Sequence, residues 1–508
     1  MQSRLLSVLL ALLVLLATSW AQRQPNMAPG RSTIVHLFEW KWTDVADECE
    51  RFLAPKGYGA VQVSPVTENV VVWKDGMRPW WERYQPISYL LQTRSGTEEE
   101  FRAMVQRCNK AGVRTYVDVV LNHMTNEHAK PVGTAGSTAQ TTQKEFPAVP
   151  FHASNFHRSC KLTTYYDANT VRNCEVSGLK DLDHSQEIVR DRQVELLNKL
   201  VAMGVAGFRV DAAKHMWPQD LKKIFERVHN LSEEHGFPAN TRPFLYQEVI
   251  DMGIGEAVSY KEYLGIGRVL DFRYSAEIGR VFGGKDKLCY LRNWGEGWNF
   301  AKSSDAVVFV DNHDNQRGHG AGGSNILTHK KKKRYTMAVS FMLAHPHAVK
   351  RVMSSFAFVS RDQGPPSSSN GSIVSPTLQR DGSCSSGWMC EHRWTPIHGM
   401  VGFGNVVATE PLSNWWDNGN NQIAFCRGSK GFAAFNNEAK DLDQTLQTCL
   451  PQGTYCDVVS GGVQGGRCVG KTVTVSADGT ARIVIGRGGD GVLAIDVNVS
   501  ISCSVWSG

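Results

Sequence analysis

Three acidic residues each close a β-branched or aromatic run: Asp211 ends GFRVD, Glu248 ends FLYQE and Asp314 closes VVFVDNHD. Gathered in one place, carboxylates suit glycosidic cleavage, in which one acid protonates the leaving oxygen while another faces the positive charge growing at the anomeric carbon. The two need opposite protonation states at one pH. Burial and mutual repulsion raise one pKa, and a cation such as Arg209 holds another carboxylate ionised. Lys214, His215, His313 and His319 flank the acids, which favours a shared site over separate strand ends satisfied by loop amides. In RPWWERYQP, Trp80, Trp81 and Tyr84 offer ring surfaces on which the apolar C–H faces of sugars can pack. The charged, Pro-flanked loop makes burial the less expected state for those rings.

For three strand ends to share a site, the strands must close on themselves. Between residues 32 and 358 eight candidate strands alternate with segments of helical period. They are STIVHLFEW from 32, GYGAVQVSP from 57, VRTYVDVVLNH from 113, GVAGFRVDAA from 204, RPFLYQEVI from 242, GRVLDFRY from 267, DAVVFVDNHD from 305 and RVMSSFAF from 351. Amphipathic helices are expected over Glu98 to Ala111 and Glu187 to Met203. The pattern predicts an α/β chain built on a (β/α)8 TIM barrel, with chemistry at the C-terminal strand ends. The region exceeds the roughly 250 residues such a barrel takes. The surplus falls after strand three, where residues 122–182, rich in Gly, Ser, Thr and Pro, read as an inserted loop-rich subdomain. From about 419 short strands at regular spacing predict a C-terminal antiparallel β-sandwich: NQIAFCRG, GFAAFNN, GTYCDVVSG, KTVTVSADG, ARIVIG and GVLAIDV. The expected division is a leader over 1–21, a barrel over 22–121 and 183–418, the insertion over 122–182 and the sandwich over 419–508.

The 508-residue chain is 42% hydrophobic and 20% charged, which excludes disordered, collagenous and coiled-coil classes. Arg4, the apolar run from Leu5 to Ala17 and Ser19-Trp20-Ala21 read as a signal peptide cut before Gln22, too short for a membrane span. Secretion to an extracellular setting is therefore expected, with no membrane partner. Net charge is +6, too sparse to make nucleic acid the default partner. The basic run Lys330 to Arg334 reads as a solvated helix face. Twelve cysteines without a Cys-x-x-Cys spacing fit an oxidised framework rather than thiolate metal binding. Asn230, Asn370 and Asn498 lie in Asn-x-Ser sequons. GHGAGG from 318 formally fits a nucleotide-binding pattern, but its distance from the strand and the basic stretch downstream favour a flexible loop over a cleft.

DVVLNH from 118, GFRVDAAKH from 207, YQEVID from 246 and FVDNHDNQRGHGAGG from 309 resemble the four signature regions of animal α-amylases, in order and over nearly the whole mature chain. The resemblance implies an endo-acting, retaining hydrolase of α-1,4-glucans such as starch, glycogen and maltooligosaccharides, acting as a monomer. It implies Asp211 as nucleophile, Glu248 as general acid and then base, and Asp314 as the acid that orients the sugar and stabilises the transition state. Trp80, Trp81, Tyr84, Gln85, His123, Lys214, His215, His313 and His319 would contact substrate. One structural calcium ion would be held by Asn122 and Asp181 and by the carbonyls of Arg172 and His215. An activating chloride would lie among Arg209, Asn312 and Arg351. The implied disulfides are Cys49–Cys108, Cys160–Cys174, Cys384–Cys390 and Cys456–Cys468, leaving Cys289, Cys426, Cys449 and Cys503 unassigned. Phe151 stands where many relatives have Tyr, which would remove a hydroxyl from a substrate-lining position. The competing readings are an exo-acting or transglycosylating relative, and a catalytically silent glucan-binding or transporter-associated homologue.

Overall fold

The computed structural model describes residues 22–501, so the expected leader and Cys503 lie outside the described residues. All eight expected barrel strands form: β1 Thr33–Leu37, β2 Ala60–Val63, β3 Arg114–Val119, β4 Gly207–Val210, β5 Phe244–Gln247, β6 Arg268–Leu270, β7 Ala306–Val308 and β8 Val349–Ser354. They pair in parallel around a closed barrel, and β8 returns to β1 with Thr33 opposite Lys350 and Leu37 opposite Ser354. Their side chains are almost wholly buried, as expected of parallel strands covered on the outside by helices and packed within.

The covering helices include α1 Trp42–Glu48, α2 Glu98–Lys110, α4 Glu187–Ala202, α5 Pro218–Glu226, α6 Phe272–Arg280, α7 Lys332–Ala344 and α8 Thr395–Val406. Helix α2 shows why its sequence is helical. Thr97 accepts from the Glu100 amide while Glu100 reaches back to the Thr97 amide, and Phe101, Met104, Val105 and Cys108 form its buried stripe. The Cys49–Cys108 disulfide ties the segment after α1 to α2.

Between β3 and β4 the insertion leaves the barrel and returns through a two-residue hairpin that pairs His123 with Asp181 and Met124 with Lys180. It carries the short helix α3, Ala168–Asn173, the Cys160–Cys174 disulfide and its own apolar cluster, which includes Met124, Phe146, Phe151, Phe156 and Leu182. Beyond the barrel lie β9 Leu412–Asp417, β10 Gln422–Arg427, β11 Gly431–Asn436, β12 Leu442–Gln447, β13 Gly453–Cys456, β14 Thr472–Val475, β15 Thr480–Ile485 and β16 Val492–Asp496. The sheet β9-β10-β11-β16 faces the β12-β15 pair and the β13-β14 pair across a core that includes Phe432, Leu442, Tyr455, Ile483 and Ile495. Its other face sets Phe425 and Phe435 against Phe341 of α7, which welds the all-β unit to the barrel. Strand β9 begins ahead of residue 419, and both β9 and β12 are additional to the six strands read from sequence.

The four disulfides implied by resemblance form, and Cys426 pairs with Cys449. Among the described residues Cys289 is the free cysteine. The sequon residues Asn230, Asn370 and Asn498 are exposed.

Candidate active site

Strand direction places Asp211 immediately after β4 and Glu248 immediately after β5, and brings Asp314 in on the loop that follows β7. All three line one cleft of about 760 Å3 at the C-terminal ends of the strands. Arg209, fully buried on β4, organises the floor. Its Nη1 lies 2.7 Å from Asp118 Oδ1 and 2.6 Å from Asp211 Oδ1, and its Nη2 lies 2.6 Å from Glu248 Oε1. Glu248 Oε2 also accepts the Ala212 amide at 2.8 Å. Ala212 adopts φ +48°, a left-handed conformation costing roughly 1 kcal/mol in a residue with a Cβ, and that amide bond helps hold it. His313 Nε2 is 3.2 Å from Asp314 Oδ2.

The electrostatics separate the acids. Burial raises the pKa of Asp211, Glu248 and Asp314, and Arg209 opposes the rise at each. Glu248 and Asp314 additionally feel the negative charge of Asp211, and Asp314 is driven well above the ordinary carboxylate range. The arrangement therefore favours ionised Asp211 beside a protonated neighbour. Burial holds His313 well below its usual value and His123 and His215 at about 4, so all three are neutral near pH 7.

The residues expected to contact substrate converge on the same cleft: Trp80, Trp81, Tyr84, Gln85, His123, Lys214, His215, His313 and His319 all line it. Their exposure differs from expectation. Trp80 and Tyr84 are 3% and 8% exposed, because the loop folds them onto Phe38 and His313, with Tyr84 stacked on His313 at 5.0 Å between ring centroids. Trp81 keeps a partly open face. The Tyr84 hydroxyl donates to Asp118 Oδ2 at 3.0 Å. His123 Nε2 is bonded to the Tyr84 carbonyl at 3.0 Å, and Gln85 Oε1 accepts from Thr125 at 2.7 Å. Lys214 donates to the Ile250 carbonyl at 2.5 Å, pairs with Glu256 and lies over the Tyr165 ring. His319 rides on the glycine-rich loop against Trp80, held by Arg361. Gly318, Gly320, Gly322 and Gly323 all have positive φ, the conformational freedom that lets this loop turn back over the cleft.

Phe151 departs from expectation: it is fully buried among Tyr89 and Phe156 in the core of the insertion and does not line the cleft. The aromatic hydroxyl at the cleft belongs to Tyr165. Sequence reasoning also gave no role to Asp118, although a carboxylate inside the apolar run VRTYVDVV signals a buried partner. The apolar wall of Ile250, Met252 and Ile254 was likewise missed, since loop residues become neighbours of β4 only through the barrel.

Two further groups of expected residues lie beside the cleft. Asn122 Oδ1 is buried without a hydrogen-bond partner and Asp181 is buried across the hairpin, with His157 Nδ1 2.6 Å from its Oδ2. The side chains of Arg172 and His215 are engaged elsewhere, with Glu262 at 2.7 Å and the Val171 carbonyl at 2.8 Å. Inside the barrel, Arg209 Nε, Arg351 Nη2 and Asn312 Nδ2 are buried donors without partners. Arg351 Nη1 donates to Gln62 Oε1 at 2.9 Å, and among the described residues no carboxylate pairs with it.

Comparison with known proteins bears on the whole chain. Residues 52–266 match the family described as alpha amylase, catalytic domain, and residues 413–498 match alpha amylase, C-terminal all-beta domain. The α-amylase of Tribolium castaneum is 54% identical over 478 residues, covering 94% of this chain and 96% of the relative. The chain belongs to the α-amylase family. It is an enzyme of the glycoside hydrolase type, with the catalytic barrel and C-terminal all-β domain of α-amylases. An α-amylase-related protein of Drosophila yakuba is 53% identical over 498 residues, covering 98% of this chain and 99% of its own. Among solved structures, a Glu-to-Gln variant of α-amylase I from Eisenia fetida in complex with maltohexaose aligns with a TM-score of 0.89 at 43% identity, over 93% of this chain and 98% of the other.

Proposed function

We propose that this chain is a secreted α-amylase that cleaves internal α-1,4-glucosidic bonds of starch, glycogen and maltooligosaccharides with retention of configuration. The observation that carries this reading is the convergence of Asp211, Glu248 and Asp314 on one cleft, with Asp211 and Glu248 bridged by a single guanidinium. A guanidinium spans two carboxyl groups only when they are close together, as a retaining mechanism requires. In the first step ionised Asp211 attacks the anomeric carbon while Glu248 gives its proton to the departing glycosidic oxygen, which releases the reducing-end fragment. In the second, Glu248 takes a proton from water, the resulting oxygen nucleophile attacks the anomeric carbon, and the Asp211 ester breaks. Asp314 and neutral His313 bond the sugar hydroxyls as the ring distorts. Maltohexaose in the Eisenia fetida relative supports the oligosaccharide class. Loss of iodine staining that outpaces the release of reducing ends would establish endo action, and glucose or maltose alone from maltoheptaose would instead identify an exo-acting enzyme. The five disulfides support an oxidising destination, and no helix among the described residues is long and apolar enough to cross a membrane.

The unpartnered Asn122 Oδ1 and the buried Asp181 fit a calcium ion, which prefers oxygen donors; the carbonyls of Arg172 and His215 would complete the set. When bound, the ion supplies a cross-link between barrel and insertion, since Asn122 and His215 follow barrel strands while Arg172 and Asp181 belong to the insertion. Chelation is expected to lower the Tm by roughly 5 °C, because a ligand held at about 100 times its Kd contributes about 2.7 kcal/mol. A scanning calorimetry trace unmoved by chelator and by added calcium would remove the ion from the account.

The unpartnered donors of Arg209, Arg351 and Asn312 fit a monovalent anion. When bound, chloride supplies a negative charge that moderates the field of the two arginines at Glu248. Without it those arginines favour ionised Glu248, its pKa falls, and the alkaline limb of the pH–rate profile moves to lower pH. Dialysis against chloride-free buffer is expected to cut turnover at pH 8 about tenfold, the equivalent of one pKa unit, and Arg351→Gln is expected to be indifferent to chloride. Equal profiles with and without chloride would defeat the assignment.

A further inference from the structure

At the opposite end of the barrel, away from the carboxylates, lies a second pocket of about 490 Å3. It opens where the N-terminal segment around Met27, the starts of β1 and β8, Leu343 of α7, Gly404 of α8 and Arg427 of β10 meet. Three cations line it, Arg31, Lys350 and Arg427, and no Asp or Glu does. The two arginines are fixed in place by neutral acceptors. Arg31 Nη1 donates to the Gly112 carbonyl at 2.8 Å, and Arg427 donates to the carbonyls of Val407 and Glu410 at 2.9 and 2.7 Å and also to that of Ala344. Carbonyl groups satisfy hydrogen bonds without cancelling charge. The Glu410 carboxylate, the acid that acts on Arg427, pairs with Lys430 at 2.9 Å.

Lys350 is the odd member. Strand alternation turns its neighbour Arg351 into the barrel, towards Gln62, and turns Lys350 outward into the pocket. Its ammonium has no ion-pair partner among the described residues, while Arg427 and Arg268 both oppose its charge. Burial and those two arginines lower it to about 7. An amine placed among cations in a water-accessible pocket, with preset guanidinium groups around it, is the arrangement an oxyanion completes.

We propose that this pocket is a binding site for a small oxyanion, a phosphate or a compact phosphate-bearing metabolite, held by Lys350 with Arg31 and Arg427. The site is separate from the proposed chloride position, which lies on the inward side of the same strand. It also stands independently of the hydrolytic reading, because none of its residues lines the carboxylate cleft.

The test uses the purified full chain with inorganic phosphate as probe, titrated calorimetrically at fixed chloride. The expected result is saturable binding of one phosphate per chain, weakened at least tenfold in Lys350→Met, kept within a few-fold in Lys350→Arg and unchanged in Glu248→Gln. Acetylation of the wild-type chain, mapped by mass spectrometry, provides a readout that needs no variant: Lys350 is expected to react, and phosphate to protect it selectively over surface lysines. No saturable binding, equal affinity in Lys350→Met, or acetylation of Lys350 that phosphate does not slow would each overturn the proposal.

Discussion

Glu248→Gln is expected to lower kcat on starch by roughly 10³- to 10⁴-fold while leaving maltooligosaccharide affinity within a few-fold of wild type. The substitution is close to isosteric. The side-chain oxygen can still accept the Ala212 amide, so the backbone at Ala212 and the course of the cleft wall are kept. What is lost is the proton for the departing oxygen in the first step and the base for water in the second. A substrate with a leaving group that departs without protonation, such as an aryl maltoside, is therefore expected to lose less in its first step than starch does. Asp211→Asn should be equally impaired on both substrates, because attack at carbon is required whatever leaves. Turnover near the wild-type rate in Glu248→Gln would remove this residue from the proposed mechanism. Loss of binding along with turnover would point to collapse of the cleft rather than missing proton transfer.

The second large effect concerns the cation beneath the acids. Arg209→Met removes the positive charge shared by Asp118, Asp211 and Glu248, leaving three buried carboxylates against an apolar side chain. Removing one partner of a buried ion pair costs about 3 to 5 kcal/mol, chiefly because the remaining charge is stranded. The pH dependence has a definite sign. Burial already holds Asp118 at about 7, above the value of an unfolded Asp, and in the variant Arg209 no longer opposes the rise. A carboxyl with a raised folded-state pKa is destabilising when it must ionise, so its penalty is absent below the unfolded value and grows as pH rises through the folded one. The deficit of Arg209→Met against wild type is thus expected to be small near pH 4 and larger at pH 8, as read by urea unfolding at each pH. A deficit independent of pH would mean that Arg209 acts through packing alone.

How much of this could be read in advance depended on how local the determinant was. The eight barrel strands announce themselves because strands buried on both faces are written as continuous apolar runs, as in TYVDVV or LYQEV. Helix α2 was legible to within a residue because Thr97, Glu100 and the apolar stripe all lie within four residues of their partners. By contrast β12, LDQTLQ, buries Leu442 and Leu446 and leaves the residues between them exposed, so its composition is that of a loop. Strand β9, LSNWWD, is part-exposed along its length and paired through an irregular register, and it escapes the same test.

The chain order of Asp211, Glu248 and Asp314 against apolar runs determined which side chains would reach the mouth of a barrel, since a residue that ends a parallel strand has one direction in which to emerge. Which of those side chains became neighbours was decided only by closure. Arg209 meets Asp118 through the pairing of β4 with β3, and meets Glu248 through its pairing with β5. The same closure buried Trp80 and Tyr84, drew Phe151 into the insertion's core, paired Cys426 with Cys449 and turned Lys350 away from Arg351. Strand and helix tendencies act over a few residues and are encoded beside one another, whereas burial, pKa and charge partnership depend on what arrives from distant parts of the chain.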